Sequence, residues 1–275
     1  MNESPDWKQR SRPRSSDWRT LAMAAMGVLL LLLFWPTFRW LWWNWRTNEY
    51  YSHGPLVPLV AGYLAWRRRP TGNPTLPSNW GLLGLGAGLG GYLVASALRA
   101  PFLSALAFIV VLGGRVDFLL GDEALLCWLF PLAYLGFAVP LPFIDAVVIQ
   151  MQSLTAQAAT ALVRAMGVSA VSEGGRITLT SCSLVVGAPC SGMRSLVALL
   201  AVAAVLAYLL RGSWLRRGAL FVLAAPLAVT ANVIRVISLL LVANGWGEEA
   251  ALRYWHTFAS PLFFLAALGL LIAAS

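Results

Sequence analysis

The 275-residue chain is dominated by apolar residues, since 59% of its residues are hydrophobic and only 11% are charged. Its mean hydropathy of +0.71 lies far outside the range of a water-soluble domain of this size. The formal net charge of +9 comes from short basic clusters between apolar runs, which is typical of cytoplasmic loops in membrane proteins. The composition therefore predicts a membrane protein and argues against nucleic-acid binding, because no soluble basic domain is left for it.

The first twenty residues are polar and basic, and no small-residue cleavage site closes the apolar run that follows them. We therefore expect residues 1–20 to form a cytoplasmic tail, and the first helix to be retained rather than removed as a signal peptide. The three cysteines cannot form a disulfide framework, and their spacing matches no metal site. We expect neither a metal nor a cofactor.

Up to eight apolar stretches approach the roughly 20 residues that a membrane-spanning helix needs. They cover residues 21–43, 54–66, 80–98, 101–120, 124–141, 190–210, 218–243 and 254–274. We predict an all-α polytopic membrane protein, a bundle of about eight transmembrane helices within residues 21–275. With the amino terminus inside, the basic clusters 67–69 and 211–217 both fall in the cytoplasm, as the positive-inside rule requires.

The long stretch before the sixth span, residues 142–189, is predicted to be a small extracytoplasmic insertion of helix and strand. Residues 144–166 combine apolar residues with polar ones at helix-like spacing, which indicates an amphipathic helix on or dipping into the outer surface. Residues 176–186 are rich in β-branched side chains and follow the turn signal Glu173-Gly174-Gly175. This pattern predicts one or two short strands.

Cys190 is the first candidate for chemistry because it lies at the predicted outer end of the sixth span. The preceding Pro189 suits the first turn of a helix, so we expect Cys190 where free backbone N–H groups and the helix dipole favour a thiolate. Arg194, one turn further along the same face, would add to this effect. The alternative is that Cys190 is only a small apolar residue at a helix end.

Arg235 lies deep within the seventh predicted span, and Asn232, three residues earlier, shares its helix face and can orient it. A guanidinium is costly to hold in hydrocarbon, so an intramembrane arginine is a candidate functional residue. The alternative is a structural arginine that pairs with a carbonyl or carboxylate elsewhere in the bundle. Two other functions remain open: a transporter or flippase whose Arg235 binds an anionic headgroup, and a structural subunit of an export or polysaccharide complex.

Histidine is the side chain best suited to proton transfer near neutral pH, and the chain has two of them. The predicted topology places both on the outer side, His256 at the start of the last span and His53 after the first. Because Cys190, Arg235 and His256 fall in the outer half of three consecutive spans, we favour His256 as the base. His53 is the alternative base, and a histidine that merely faces headgroups is the alternative for His256.

Several short motifs occur in a particular order along the chain. They are Tyr51-Ser52-His53-Gly54, Phe130-Pro131 through Pro140-Leu141-Pro142, Cys190-Ser191-Gly192 with Arg194-Ser195-Leu196, and Asn232-Val233-Ile234-Arg235 after Pro226, followed by His256 and a last apolar run. In order and spacing these motifs resemble the exosortase and archaeosortase family of membrane enzymes. The resemblance extends over most of the chain after the basic tail.

The resemblance implies a cysteine protease or transpeptidase of the bacterial cytoplasmic membrane, acting at its outer side. Its nucleophile falls on Cys190, its essential arginine on Arg235 and its third catalytic position on His256. We expect Asn232, Arg194 and Ser191 to support these three residues. The implied partners are membrane lipids and exported proteins whose carboxy-terminal sorting signal, such as the PEP-CTERM type, combines a short motif, a membrane helix and a basic tail. The expected reaction forms a thioester, which an amine or water resolves.

Overall fold

A computed structural model describes residues 16–69, 78–180, 182–185, 191–254 and 259–275. Within these residues the chain forms ten α-helices and a small antiparallel sheet. The helices are α1 (Ser16–Leu33), α2 (Trp35–Thr47), α3 (Leu56–Arg67), α4 (Asn79–Ala97), α5 (Pro101–Leu120), α6 (Asp122–Tyr134), α7 (Ile144–Ala165), α8 (Met193–Leu209), α9 (Trp214–Tyr254) and α10 (Ser260–Ala274). The strands are β1 (Ala170–Glu173), β2 (Arg176–Leu179) and β3 (Ser183–Val185).

Four of the helices in the described part of the chain, α4, α5, α7 and α9, are long and apolar enough to cross a membrane. A fifth span results if α1 and α2, which meet at an angle of 61°, are counted together. The prediction of a mostly helical membrane protein is thus confirmed. Helices α3, α6, α8 and α10 have 12, 13, 17 and 15 residues, fewer than a full span needs, so the count of eight spans stays a prediction.

The bend between α1 and α2 is held by aromatic packing around Phe34. This side chain is fully buried, and the centroid of its ring lies 4.5 Å from the ring centroid of Tyr92 and 5.1 Å from that of Phe108. Pro36 stands in the first turn of α2, where its missing N–H costs no hydrogen bond. The first predicted span is therefore two helices, and α2 turns away from the direction of α1.

Glycines allow α4 and α5 to pack with their backbones in contact. A Cβ atom on Gly81 would overlap the backbone of Phe118, one on Gly88 would overlap Val111, and one on Gly114 would overlap the backbone of α4. Small residues at helix interfaces permit this close approach in membrane proteins. The pair forms a tight helical hairpin, joined by a turn at Arg99, which has a left-handed φ of 51°.

Two of the differences between the predicted and the observed helix boundaries involve a glycine. The predicted helix start at residue 190 is wrong: α8 begins at Met193, because Gly192 adopts a left-handed conformation with φ 78° and ψ −2°. Helix α9 continues past the predicted end at residue 243 to Tyr254, but it is interrupted at Gly247, where φ is 85° and ψ is 172°. The predicted turn over residues 244–253 is thereby reduced to a single break.

The strands of the predicted insertion form one sheet in the order β1-β2-β3. Gly174, with a φ of 58°, lies in the turn between β1 and β2, as the turn signal indicates. Strands β2 and β3 confirm the prediction of short strands, whereas β1 was not predicted. The buried side chains Ile177 and Leu184 pair across β2 and β3 and pack in one cluster with residues of α7 and α9. The outer location of this insertion stays a prediction.

Helix α7 confirms the helix predicted over residues 144–166. Its buried side chains recur at intervals of three and four residues and therefore form one face: Ile144, Val148, Thr155, Ala156, Ala159, Thr160 and Val163. Ala156, Ala159 and Val163 pack in the same cluster as Val236, Leu239 and Leu240 of α9. The helix is thus part of the bundle, and its length and composition also suit a span. Its predicted place on the outer surface stays a prediction.

Candidate functional site

The site is centred on Arg235 and Asn232 of α9, which are both buried at 7% and 2% exposure. An Nη2 hydrogen of Arg235 is donated to Oδ1 of Asn232, so the predicted contact between these neighbours on one helix face is present. A hydrogen bond to a charged donor is stronger than one between neutral groups. The amide therefore orients the guanidinium group within the bundle.

Thr155 of α7 extends this pair to a second helix. The amide Nδ2 of Asn232 donates to Oγ1 of Thr155 at 3.0 Å, and Thr155 is fully buried. The two residues are 77 positions apart in the chain, and sequence reasoning missed Thr155. A spacing of four residues puts Thr155 and Ala159 on one helix face, but nothing in the sequence indicates which helix packs against that face.

Gly192, two residues after Cys190, contacts Asn232 of the same pair. Cys190 itself lies outside the described residues. Ser191 is fully buried, and its Oγ accepts a hydrogen bond from the backbone N–H of Met193 at 3.2 Å. Gly192 lies so close to Asn232 that an added Cβ would stand 2.6 Å from the Cγ of that side chain. The motif Cys190-Ser191-Gly192 is thus attached to the Asn232 and Arg235 pair through its last residue.

Replacing Gly192 with alanine should destabilise this contact for two reasons. The new methyl group would displace Asn232, and the left-handed backbone costs a residue with a Cβ about 1–2 kcal/mol. We expect a lower midpoint of thermal unfolding in detergent and a loss of any activity that depends on Arg235.

Gly245 is the matched control for this substitution. It lies in α9 with open space around its Cα, so alanine there should be neutral or slightly stabilising. Equal midpoints for the two variants would contradict the role assigned to Gly192.

His256 lies outside the described residues, but the chain on both sides of it packs beside Arg235. The hydroxyl of Tyr254 donates to Oγ of Ser238 at 3.3 Å, and that Oγ donates to the carbonyl oxygen of Arg235 at 2.7 Å. Ala259 is fully buried in the cluster that contains Val236 of α9. The break at Gly247 allows the chain to return toward Arg235 in this way.

His53 belongs to a second anchored segment, Tyr51-Ser52-His53-Gly54, which precedes α3. The hydroxyl of Tyr51 accepts a hydrogen bond from the backbone N–H of Leu141 at 2.9 Å, and Nε2 of His53 lies 3.3 Å from the carbonyl oxygen of Phe137. Tyr51 also packs in one cluster with Met193, the first residue of α8. The early and central motifs of the sequence therefore meet near the start of α8.

The pKa of His53 lies below the ordinary 6.5, chiefly because burial disfavours the charged imidazolium. The carbonyl oxygens of Phe137 and Tyr50 oppose this shift, and the positive charge of Arg194 adds to it. Arg194 is exposed in the first turn of α8, and its positive charge helps to lower the pKa of His53. Since α8 begins after Cys190, the predicted helical spacing between Cys190 and Arg194 is wrong.

The lowered pKa of His53 predicts how stability depends on pH. Between its folded pKa and 6.5 the unfolded chain binds more protons than the folded one, so folding loses stability as the pH falls below about 6.5. His53→Gln removes this dependence. We expect the unfolding midpoint of the wild type to fall more steeply from pH 7 to pH 5 than that of the variant. Parallel curves for the two proteins would contradict the lowered pKa.

A narrow cavity lies between α8, α9 and α10, beside the guanidinium group of Arg235. Its lining residues are Ser195, Leu199, Ala228, Ala231, Asn232, Arg235, Phe263, Phe264 and Ala267. Most of these side chains are apolar, so the positive charge of Arg235 faces a poorly hydrated space. An electrostatic interaction is stronger in such a space than in water.

The comparisons with known proteins agree with this arrangement of motifs. A family model described as transmembrane exosortase matches residues 42–273. No curated protein and no solved structure matches. The matched region begins in α2 and ends in α10. It includes all the motif residues considered above and none of the basic tail. The chain therefore belongs to the transmembrane exosortase family, a membership that supports a sortase-like role in processing proteins.

Proposed function

We propose that the protein is a membrane cysteine protease or transpeptidase that cleaves the carboxy-terminal sorting signals of exported proteins. The observation that carries this proposal is the contact of Gly192 with Asn232, because it attaches the cysteine motif to the buried Arg235. Family membership supports protein substrates with sorting signals. We take the signal to be of the PEP-CTERM type, with a short motif, a membrane helix and a basic tail.

In the proposed reaction the Cys190 thiol gives its proton to His256, and the sulfur attacks the carbonyl carbon of the scissile peptide. The negative charge that develops on the carbonyl oxygen is stabilised by Arg235, whose fixed position avoids reorganisation during the reaction. The C–N bond then breaks, and His256 returns the proton to the leaving amine. An amine or water attacks the resulting thioester and releases Cys190 as the thiol.

His256 is the proposed base because its described flanks, Tyr254 and Ala259, pack beside Arg235. His53 remains the alternative base, since its segment contacts the start of α8. The lowered pKa keeps His53 neutral at pH 7, the form that a base requires. The variant His53→Gln distinguishes the two: retained processing at pH 7 supports His256, and lost processing with an unchanged fold supports His53.

We further propose a topology in which residues 1–20 are cytoplasmic and the insertion 142–189 lies on the outer side of the inner membrane. Cleavage would then follow export of the substrate. The positive-inside distribution of arginines supports this orientation.

The experiment is co-expression of the protein with a substrate that carries a motif, a membrane helix and a basic tail. Mass spectrometry of the substrate's new carboxy terminus then identifies the cleavage site and any attached acceptor. We expect a defined terminus only when the protein is present. A substrate that keeps its full signal at a normal level of the membrane-inserted protein would overturn the proposal for that signal.

A further inference from the structure

We propose that Thr155 is a positioning residue for the reaction, which holds the amide of Asn232 in the one orientation that presents its oxygen to Arg235. The inference rests on the proposed function and adds α7 to the elements that build its site. The carrying observation is the chain of two hydrogen bonds from Thr155 through Asn232 to Arg235.

The chemistry of the three groups determines the direction of these bonds. A guanidinium has five N–H donors and no acceptor, so only the oxygen of the Asn232 amide can face it. The amide nitrogen then points the opposite way and needs an acceptor, which Oγ1 of Thr155 supplies at 3.0 Å. An amide turned by 180° would place its N–H groups against those of Arg235.

Burial makes this orientation depend on Thr155. The exposed fractions of Thr155 and Asn232 are 0% and 2%, so bulk water cannot replace the hydroxyl as an acceptor. A buried amide group that loses its partner is destabilised by more than the hydrogen bond itself contributes. Gly192 packs against the same side chain, so a shift of Asn232 would also reach the cysteine motif.

The position of Thr155 on α7 leaves the hydroxyl little freedom. Thr155 lies on the buried face of the helix, next to Ala156, and Ala156 and Ala159 pack in the cluster that contains Val236 and Leu240 of α9. A β-branched side chain in a helix has restricted χ1 rotamers. Small neighbours and a restricted rotamer therefore place Oγ1 within reach of Asn232.

The test uses Thr155→Val, which keeps the shape of the side chain and removes the acceptor, and Thr155→Ser, which keeps the acceptor. We expect Thr155→Val to lower the kcat of substrate processing about tenfold with little change in KM, and Thr155→Ser to restore most of it. In an Asn232→Ala background, Thr155→Val should have no further effect, because the group that it positions is gone.

Thr160→Val is the matched control, since Thr160 lies on the same helix face at 5% exposure and its Oγ1 has no hydrogen-bond partner among the described residues. We expect this control to process substrate as the wild type does. A Thr155→Val variant with the wild-type kcat, or with an equal loss in the Asn232→Ala background, would overturn the inference.

Thermal unfolding tests the contact between Thr155 and Asn232 independently of activity. The unfolding midpoints are compared for four proteins: wild type, Thr155→Val, Asn232→Ala and the double variant. Non-additive midpoints support the contact, and additive midpoints overturn it. If the wild type fails to process the substrate while the midpoints are non-additive, the proposed reaction fails and the contact between Thr155 and Asn232 stands.

Discussion

Replacing Cys190 with alanine should abolish processing of the co-expressed substrate while the protein still inserts in the membrane. No other group in the proposed site forms the thioester, and removal of a nucleophile from a protease lowers kcat by about 10⁶-fold. The measurement is the fraction of substrate with a new carboxy terminus, at matched levels of the membrane-inserted protein. Cys190→Ser should also be inactive, because a hydroxyl is far less readily ionised than a thiol.

Cys127 and Cys182 provide the controls for this variant. The thiol of Cys127 donates to the carbonyl oxygen of Arg68 at 3.0 Å, and Cys182 packs against the cluster of α7, α9 and the sheet. Their alanine variants should process substrate normally. A membrane-impermeant thiol reagent should label the wild type and lose its main site in Cys190→Ala. Continued cleavage by Cys190→Ala would remove Cys190 from the mechanism.

Arg235→Lys should lower kcat by about 10²–10³, the usual cost of removing a group that stabilises an oxyanion. Lysine keeps the positive charge, but its ammonium is a strongly hydrated point charge that lacks the planar fork of donors. It cannot donate to Asn232 and stabilise an oxyanion with the same geometry. The measurement is kcat for processing, with labelling of Cys190 as a check that the thiol remains accessible.

Arg253→Lys is the matched control on the same helix. Arg253 is exposed and forms a surface ion pair with Glu249 at 3.2 Å, and such pairs contribute little. We expect wild-type processing from it. If Arg235→Lys retained full activity, the oxyanion role would be lost. A different pattern, in which Arg235→Ala abolishes function but Cys190→Ser does not, would favour the carrier or flippase over the protease.

Most helices could be predicted from the sequence, because a long apolar run indicates a membrane helix and a basic cluster indicates the loop between two helices. The extents of α4 and α5 agree with the prediction to within about one residue. The pairing of Asn232 with Arg235 was also predictable, because a separation of three residues places two side chains on one helix face.

Contacts between distant parts of the chain could not be predicted in this way. The hydrogen bond from Asn232 to Thr155 depends on how α7 and α9 pack, and hydrophobic periodicity does not specify which faces meet. The start of α8 was missed because a proline at position 189 favours a helix start, whereas the left-handed conformation of Gly192 became visible only in the structure. The positions of Cys190 and His256 remain predictions, since both lie outside the described residues.

The glycine contacts between α4 and α5 limit the routes by which a substrate could reach the site. Because the two backbones touch, the helices cannot separate without losing contacts along much of their length. We therefore expect that the membrane helix of the proposed substrate does not enter sideways between α4 and α5. If it enters laterally from the lipid, we expect it to pass between other helices, where the contacts are formed by side chains rather than by backbones.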